Sequence, residues 1–138
     1  MLTRKHSIDG KTRFSDADEI FAALSAESAA RLAMVAGDIS LVIDETGKIV
    51  DGSANPNEFP DLQEWIGRDW IDVVTIESRA KVMEMMAGGR KGQTQHWRQV
   101  NHIAAEGDIP VRYAMVPLDG GHLSLAFGRD MRDAATLQ

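Results

Sequence analysis

The chain has 138 residues, enough for one domain with a substantial core and too few for two ordinary domains. It contains no cysteine, which excludes disulfides, thiolate metal sites, cysteine nucleophiles and cofactors attached through a thiol. Fifteen Lys and Arg against 21 Asp and Glu give a net charge of −6 without a basic stripe, so the composition argues against direct binding of duplex DNA.

The N-terminal region carries no targeting signal that we can read. Residues 1–24 lack the apolar core of a secretory signal, and no run of about twenty apolar residues occurs anywhere. We therefore expect a cytoplasmic protein that does not insert into a membrane. Residues 1–13 are polar and without periodicity, which predicts a flexible arm.

A helical segment is predicted next, over about 16–36. Apolar residues recur there at near-helical spacing, Ser25 is a candidate cap that divides the segment, and Gly37 ends it. The segment is amphipathic, and two roles for its apolar side are open: covering the chain's own sheet, or pairing with the same patch of a second subunit. The apolar side chains concerned are Phe14, Ile20, Phe21, Leu24 and Leu32.

The rest of the chain predicts one antiparallel sheet interrupted by helices. β-Branched runs flank the turn Asp44-Glu45-Thr46-Gly47, which is typical of a hairpin. A helix that Gly88-Gly89 stops and a three-stranded meander follow. The predicted elements are strands at 39–43 and 48–53, helical turns near 61–66, a helix at 76–87, and strands at 96–103, 109–118 and 122–128. This order is typical of an α+β fold with helices on one sheet face.

Five short stretches give this layout a family resemblance. They are DISLVID at 38–44, GRDW at 67–70 leading to TIESRAKV at 75–82, WRQVNH at 97–102, PVRY at 110–113, and GRDMR at 128–132. In this order they resemble the N-terminal PAS-like domain of the PpsR/CrtJ family of photosynthesis-gene repressors. The resemblance covers almost everything from Asp38 onward, and it implies a PAS-like five-stranded sheet.

The resemblance also implies a function. It indicates a non-enzymatic sensor and interaction domain of a transcriptional regulator, which forms a homodimer and meets a flavin-containing antirepressor protein in a response to oxygen and light. The family's DNA-reading helix-turn-helix is absent from this segment, so direct nucleic acid binding by it is not expected. The predicted domains are an arm at 1–13, a helical cap at 14–37, the PAS-like domain at 38–129 and the start of a helical linker at 130–138.

The histidines are the first candidates for a functional site. His96, His102 and His122 are of the type that binds transition metals or haem. His96 and His102 stand six apart on one predicted strand, about 20 Å at the usual rise, so they cannot share an ion while the strand is straight. We therefore predict surface histidines. The alternative left open is a ligand- or haem-binding PAS sensor of another signalling protein, with a single axial histidine.

Two other patterns are weak signals of chemistry. The segment 77–79 (Glu-Ser-Arg) lies near Asp69, Asp72 and Glu84, but acids at a helix start beside basic residues are explained by the helix dipole and surface ion pairs. No set of nucleophile, base and orienting residue is indicated, so we expect no enzyme. The stretch 88–92 (GGRKG) follows a helix, the wrong order for a phosphate loop, and is predicted to be a flexible connector.

Aromatic residues are candidates for a pocket between sheet and helices. The set is Trp65, Trp70, Trp97, Tyr113 and Phe127. Because each buries a large apolar area, we interpret them as core, with the seven methionines adding adaptability. No converging polar set indicates a particular ligand, so no cofactor is expected.

Overall fold

The computed structural model describes residues 14–91, 95–118 and 122–133, together with Ser7–Ile8 and Lys11–Thr12. The chain divides into two compact units, Met1–Leu32 and Ala33–Gln138. In the described part of the chain, no helix combines the length and the apolar character needed to cross a bilayer.

The described residues of the first unit form two short strands and helical segments. Two strands of two residues each, β1 (Ser7–Ile8) and β2 (Lys11–Thr12), pair antiparallel. Helix α1 (Ala17–Phe21) follows, and α2 (Ala26–Ala36) begins after it. The backbone N–H of Ser28 donates to Ser25 Oγ at 3.1 Å, which confirms the predicted cap that divides the helical segment. The rest of the predicted arm at 1–13 lies outside the described residues.

The second unit is a five-stranded antiparallel sheet with helices inserted after its second strand. Its elements are β3 (Ile39–Asp44), β4 (Ile49–Ala54), α3 (Leu62–Trp65), a 3-10 turn (Trp70–Asp72), α4 (Ile76–Arg90), β5 (Gln95–His102), β6 (Ile109–Pro117) and β7 (Leu123–Asp130). The strand order is β4-β3-β7-β6-β5, and every neighbouring pair is antiparallel. The predicted α+β class, strand number and hairpin are confirmed.

The β3–β4 hairpin turn is built by Asp44. One carboxylate oxygen accepts hydrogen bonds from the backbone N–H groups of Thr46 and Lys48 and from the Thr46 hydroxyl, at 2.6–3.0 Å. Gly47 follows with φ +90°, a conformation that glycine adopts without strain. The hydrogen bonds of the Asp44 side chain and the positive φ of Gly47 therefore stabilise the turn that the sequence predicts from Asp44 to Gly47.

Helix α4 is longer than the sequence predicts. It continues through Gly88 and Gly89 to Arg90, so the predicted stop and the flexible connector are wrong at these positions. A Cβ on Gly89 would lie 3.1 Å from Ser124 Oγ and 3.2 Å from Met115 Cε. The missing side chain lets the helix lie close to the sheet, and this packing outweighs the helix penalty of glycine, about 1 kcal/mol.

The core lies between the helices and one face of the sheet. Alternate residues of β6, such as Val111 and Tyr113, are fully buried, as are Ile39 and Leu41 of β3. Phe59, Trp65 and Trp70 close it from the segment between β4 and α4. The core also encloses a polar side chain, that of His102.

Candidate functional site

A histidine lies at the centre of the core. His102, at the end of β5, is fully buried and stacks on the indole of Trp65, with ring centroids 4.3 Å apart and planes within 11°. Tyr113 of β6 meets the imidazole edge-on, and Trp70 meets Tyr113 edge-on at 5.3 Å. We call these four residues the His102 cluster.

The hydrogen bonds of the His102 cluster define the tautomer of the imidazole. Nδ1 lies 3.2 Å from the Val73 carbonyl, which only accepts, so Nδ1 carries the proton and donates. Nε2 then accepts from the Tyr113 hydroxyl at 2.6 Å. Both ring nitrogens are engaged within the protein.

Burial sets the electrostatics of this pair. Desolvation lowers the pKa of His102 from 6.5 to about 4, although the bond to the Val73 carbonyl opposes the shift. Burial also raises the pKa of Tyr113 well above its ordinary value. Both groups are therefore neutral at pH 7, as a dry core requires.

The prediction that the histidines lie at the surface is wrong for His102 and agrees with the position of His122. His122 is exposed, and its Nδ1 lies 2.9 Å from a carboxylate oxygen of Glu45. The side chain of His96 lies outside the described residues. Among the side chains that the structure describes, no group of three or more His, Cys, Asp or Glu could hold a metal ion.

A sequence signal for the burial of His102 exists. Val100 and His102 lie on the same side of one strand because they are two residues apart, and Val100 is an apolar residue among polar ones. The side of the strand that carries Val100 faces the core, so it also buries His102. Spacing between the histidines alone did not contain this information.

The predicted aromatic core divides between the two sheet faces. Trp65, Trp70 and Tyr113 are buried as expected. Trp97 and Phe127 are only half-buried, and the Trp97 ring lies under the guanidinium of Arg129, 4.5 Å from its centroid. Their prediction as core is wrong because odd positions of β5 and β7 alternate away from the helices.

One buried donor in the His102 cluster is unsatisfied. The indole Nε1 of Trp70 has no hydrogen-bond partner among the described residues, although the residue is fully buried. An unpaired buried N–H costs about 1–3 kcal/mol. A small acceptor held beside Trp70 would recover part of that free energy.

The candidate acid–base residues do not converge. Asp69, Asp72 and Glu77 are exposed, and Glu84 of α4 pairs with Arg98 of β5. Ser78 is buried, but its hydroxyl oxygen accepts from the backbone N–H of Asn101 at 2.9 Å and so joins α4 to β5. These side chains take part in packing or in surface ion pairs, and they do not form one catalytic group.

The apolar side chains of the first unit are exposed. Phe14, Ile20, Phe21, Leu24 and Leu32 have between 40% and 67% of their surface open. Phe14 and Phe21 meet edge-to-face at 5.1 Å, so two of the five already form one aromatic patch. We call these five residues the apolar patch.

The chain enters and leaves the sheet at one corner. The backbone N–H of Asp38 donates to the Gly128 carbonyl at 2.7 Å, and the N–H of Asp130 donates to the Asp38 carboxylate at 2.8 Å. Two guanidinium nitrogens of Arg132 donate hydrogen bonds to the Asp130 carboxylate, and one of them also donates to the Glu58 carbonyl. Burial raises the pKa of Asp130, but the bonds and charge of Arg132 outweigh it and the net shift is downward.

The predicted linker begins at this corner. Residues 132–133 have helical backbone geometry, and 134–138 lie outside the described residues. Beside Arg132 lies an open groove of about 330 Å³ between the 57–61 loop and the 104–109 turn. The anchoring of Arg132 joins the end of β7 to the loop before α3.

Comparison with known proteins supports the fold. No protein-family model and no curated protein matches the chain. The solved PAS domain of an HTR-like protein from Haloarcula marismortui is similar, with 21% identity, a TM-score of 0.54, and coverage of 75% of this chain and 92% of that one. The sensor region of a sensor histidine kinase has 18% identity and a TM-score of 0.48 over 72% of this chain and 41% of that one. The first likeness shows that the chain has a PAS-like fold.

Proposed function

We propose that this chain is a non-enzymatic PAS sensor and interaction domain that pairs the subunits of a transcriptional regulator of the PpsR/CrtJ type. The observation that carries the proposal is the apolar patch, whose five large side chains are open to solvent in the single chain. In this proposal the domain pairs two subunits, and the helical linker predicted at 130–138 sets the geometry of the downstream domains of the regulator. An antirepressor protein is the proposed second partner.

The regulator assignment rests on the five resembling stretches. They fall on the frame of the fold: β3, the turn before Trp70 with the first part of α4, β5, β6, and the exit of β7. A stretch such as GRDMR carries both Gly128, which closes on β3, and Arg132, which anchors the exit. The resemblance thus involves residues with definable structural roles, in the order of the chain.

The patch offers apolar side chains to an interface. Each large apolar side chain moved from water into a contact contributes about 1.5–3 kcal/mol. A two-fold pair would use the same patch on both copies, so every side chain counts twice. A stable dimer forms if this gain, made by the part of each side chain that is still exposed, exceeds the costs of association.

Absence of catalysis is part of the proposal. The candidate carboxylates are apart and exposed, and the buried Ser78 and His102 are fully engaged in packing hydrogen bonds. A nucleophile needs a neighbouring base and a place for substrate. In the described residues these groups do not meet.

A second candidate function rests on Trp70. Its buried, unpaired Nε1 favours a ligand-binding PAS sensor in which a small molecule with an acceptor atom sits beside the His102 cluster. An axial haem role for His102 is disfavoured, because a bond to iron would break a hydrogen bond at Nδ1 or Nε2. Native mass spectrometry and an absorption spectrum of protein purified from cells decide between an empty and an occupied domain.

Charged substitutions in the apolar patch test the proposed dimer interface. Changing Phe21→Glu and Leu24→Glu together should convert a dimer to a folded monomer, measured by light scattering with a thermal melt of the same sample. Ile76→Glu is the matched control, because Ile76 is 77% exposed and lies outside the apolar patch. A wild-type chain that is monomeric at high concentration, or a double variant that still dimerises, contradicts the proposal. A monomeric wild type whose double variant melts lower indicates an intramolecular cap instead.

A further inference from the structure

Two methionine side chains line a recess between α4 and the sheet. They are Met86 of α4 and Met115 of β6, and the rest of the lining is Ile43, Asp44, Glu45, His122 and Ser124. The recess has a volume of about 10 Å³. That is room for about one water-sized molecule. We call it the thioether recess.

Two glycines make space for these methionines. A Cβ on Gly47 would lie 2.8 Å from the Met86 sulfur, and one on Gly89 would lie 3.5 Å from the Met115 sulfur. The Met86 sulfur therefore packs directly on the backbone of the β3–β4 turn. An atom added to that sulfur on the side of Gly47 therefore requires the turn to move.

We propose that Met86 is a modification site for a hydroperoxide, and that its oxidation to the sulfoxide loosens the β3–β4 turn. The thioether sulfur attacks one oxygen of hydrogen peroxide and the O–O bond breaks. The departing hydroxide takes the proton from the new S–OH group, leaving methionine sulfoxide and water. Sulfur is oxidised by two electrons and the peroxide is reduced by two.

The chemistry of the chain favours methionine for this role. Thiolates are the usual sulfur target of peroxides, and this chain has no cysteine to compete. Met86 is half-buried at a recess lined by the exposed His122, whereas Met85 beside it is fully buried. Met86 therefore combines access for a small oxidant with a contact that oxidation disturbs.

The turn transmits the change to the core. Besides contacting Met86, Gly47 accepts a hydrogen bond from the backbone N–H of Trp70 at 2.9 Å through its carbonyl. The Trp70 ring in turn packs edge-on against Tyr113. The Met86 sulfur leaves no room for a further atom between itself and Gly47, so a sulfoxide oxygen formed on that side displaces Gly47 and with it the anchor of Trp70.

Met83 provides the matched control. It lies on the same helix one turn earlier, is 56% exposed, and is absent from the lining of the recess. Because Met83 is more than half exposed, its sulfoxide should disturb packing less than a sulfoxide at Met86. The two residues thus separate oxidation as such from oxidation at the turn.

The experiment treats the whole chain with graded hydrogen peroxide. Peptide mass spectrometry measures the sulfoxide fraction at each methionine, and thermal melts and near-UV circular dichroism measure the fold. The melting temperature should fall in proportion to the sulfoxide at Met86 and return after methionine sulfoxide reductases A and B. Met86→Leu should abolish the fall, and Met83→Leu should leave it unchanged, since exchange of Met for Leu conserves volume.

Either of two results overturns the proposal. One is a Met86 that stays unoxidised when Met83 is fully converted. The other is a melting temperature that falls as far in Met86→Leu as in the wild type. The correlation between Met86 sulfoxide and melting in the wild-type chain needs no variant, so a misfolded variant does not remove the test. The outcome is independent of dimerisation, which light scattering on the same samples follows.

Discussion

Acidification from pH 7 to pH 5 should destabilise the fold through His102. The imidazole is neutral in the core with its pKa lowered from 6.5 to about 4, so the unfolded chain takes up the proton first. The stabilisation is therefore fully present above pH 6.5 and is lost as pH falls toward 4. Linkage over these two pKa values gives a loss of roughly 2 kcal/mol between pH 7 and pH 5, and of roughly 3 kcal/mol once both forms are protonated.

Urea unfolding at both pH values measures this loss. His102→Gln removes the titrating group, so its free energy of unfolding should be lower at pH 7 but nearly flat down to pH 5. His122→Gln is the control: it removes a histidine that is 77% exposed and keeps His102, so the loss assigned to His102 should remain. Asp130, with its lowered pKa, titrates below this window. A His102→Gln protein that keeps the full wild-type slope would refute the assignment of the slope to this residue.

Three substitutions test the packing around the same core. Tyr113→Phe leaves Nε2 of His102 without its donor and should cost about 1–3 kcal/mol in urea unfolding, with little effect if a water replaces the hydroxyl. Gly128→Ala places a methyl group 2.6–2.7 Å from three buried side chains and should cost about 1–3 kcal/mol or more by overpacking; a neutral result would show that β7 can move away. Ser78→Ala leaves the N–H of Asn101 unpaired and should cost about 1–3 kcal/mol, with hydrogen exchange at that amide rising first.

The strands were predictable because their signals are local. The turn from Asp44 to Gly47 carries its own hydrogen bonds and its own positive φ, so the hairpin follows from consecutive residues. The end of α4 was not predictable, because Gly89 packs closely against Met115 and Ser124, which lie far along the chain. Local propensity and tertiary packing oppose each other there, and packing decides.

The candidate sites show the same division. Alternation places His102 and Trp97 on opposite sides of β5, but which side the helices cover depends on how the whole sheet is assembled. The His102 cluster joins α3, the 3-10 turn, β5 and β6, and the thioether recess also draws on several elements. Such groups have no signature in consecutive residues. The exposed apolar patch was visible as a pattern, since its members lie within one short segment.

The corner where Asp38 meets Gly128 and Asp130 determines how the domain responds to mechanical load. Strands β3 and β7 are antiparallel neighbours, and the first residue of one pairs with Gly128 of the other. Tension applied through the chain on either side of the domain therefore acts at the same end of both strands. The hydrogen bonds between them are loaded one after another, in unzipping geometry, rather than together in shear. The first bonds to carry the force are those of Asp38, and a pull on the linker reaches them through Arg132 and Asp130 before it reaches the core.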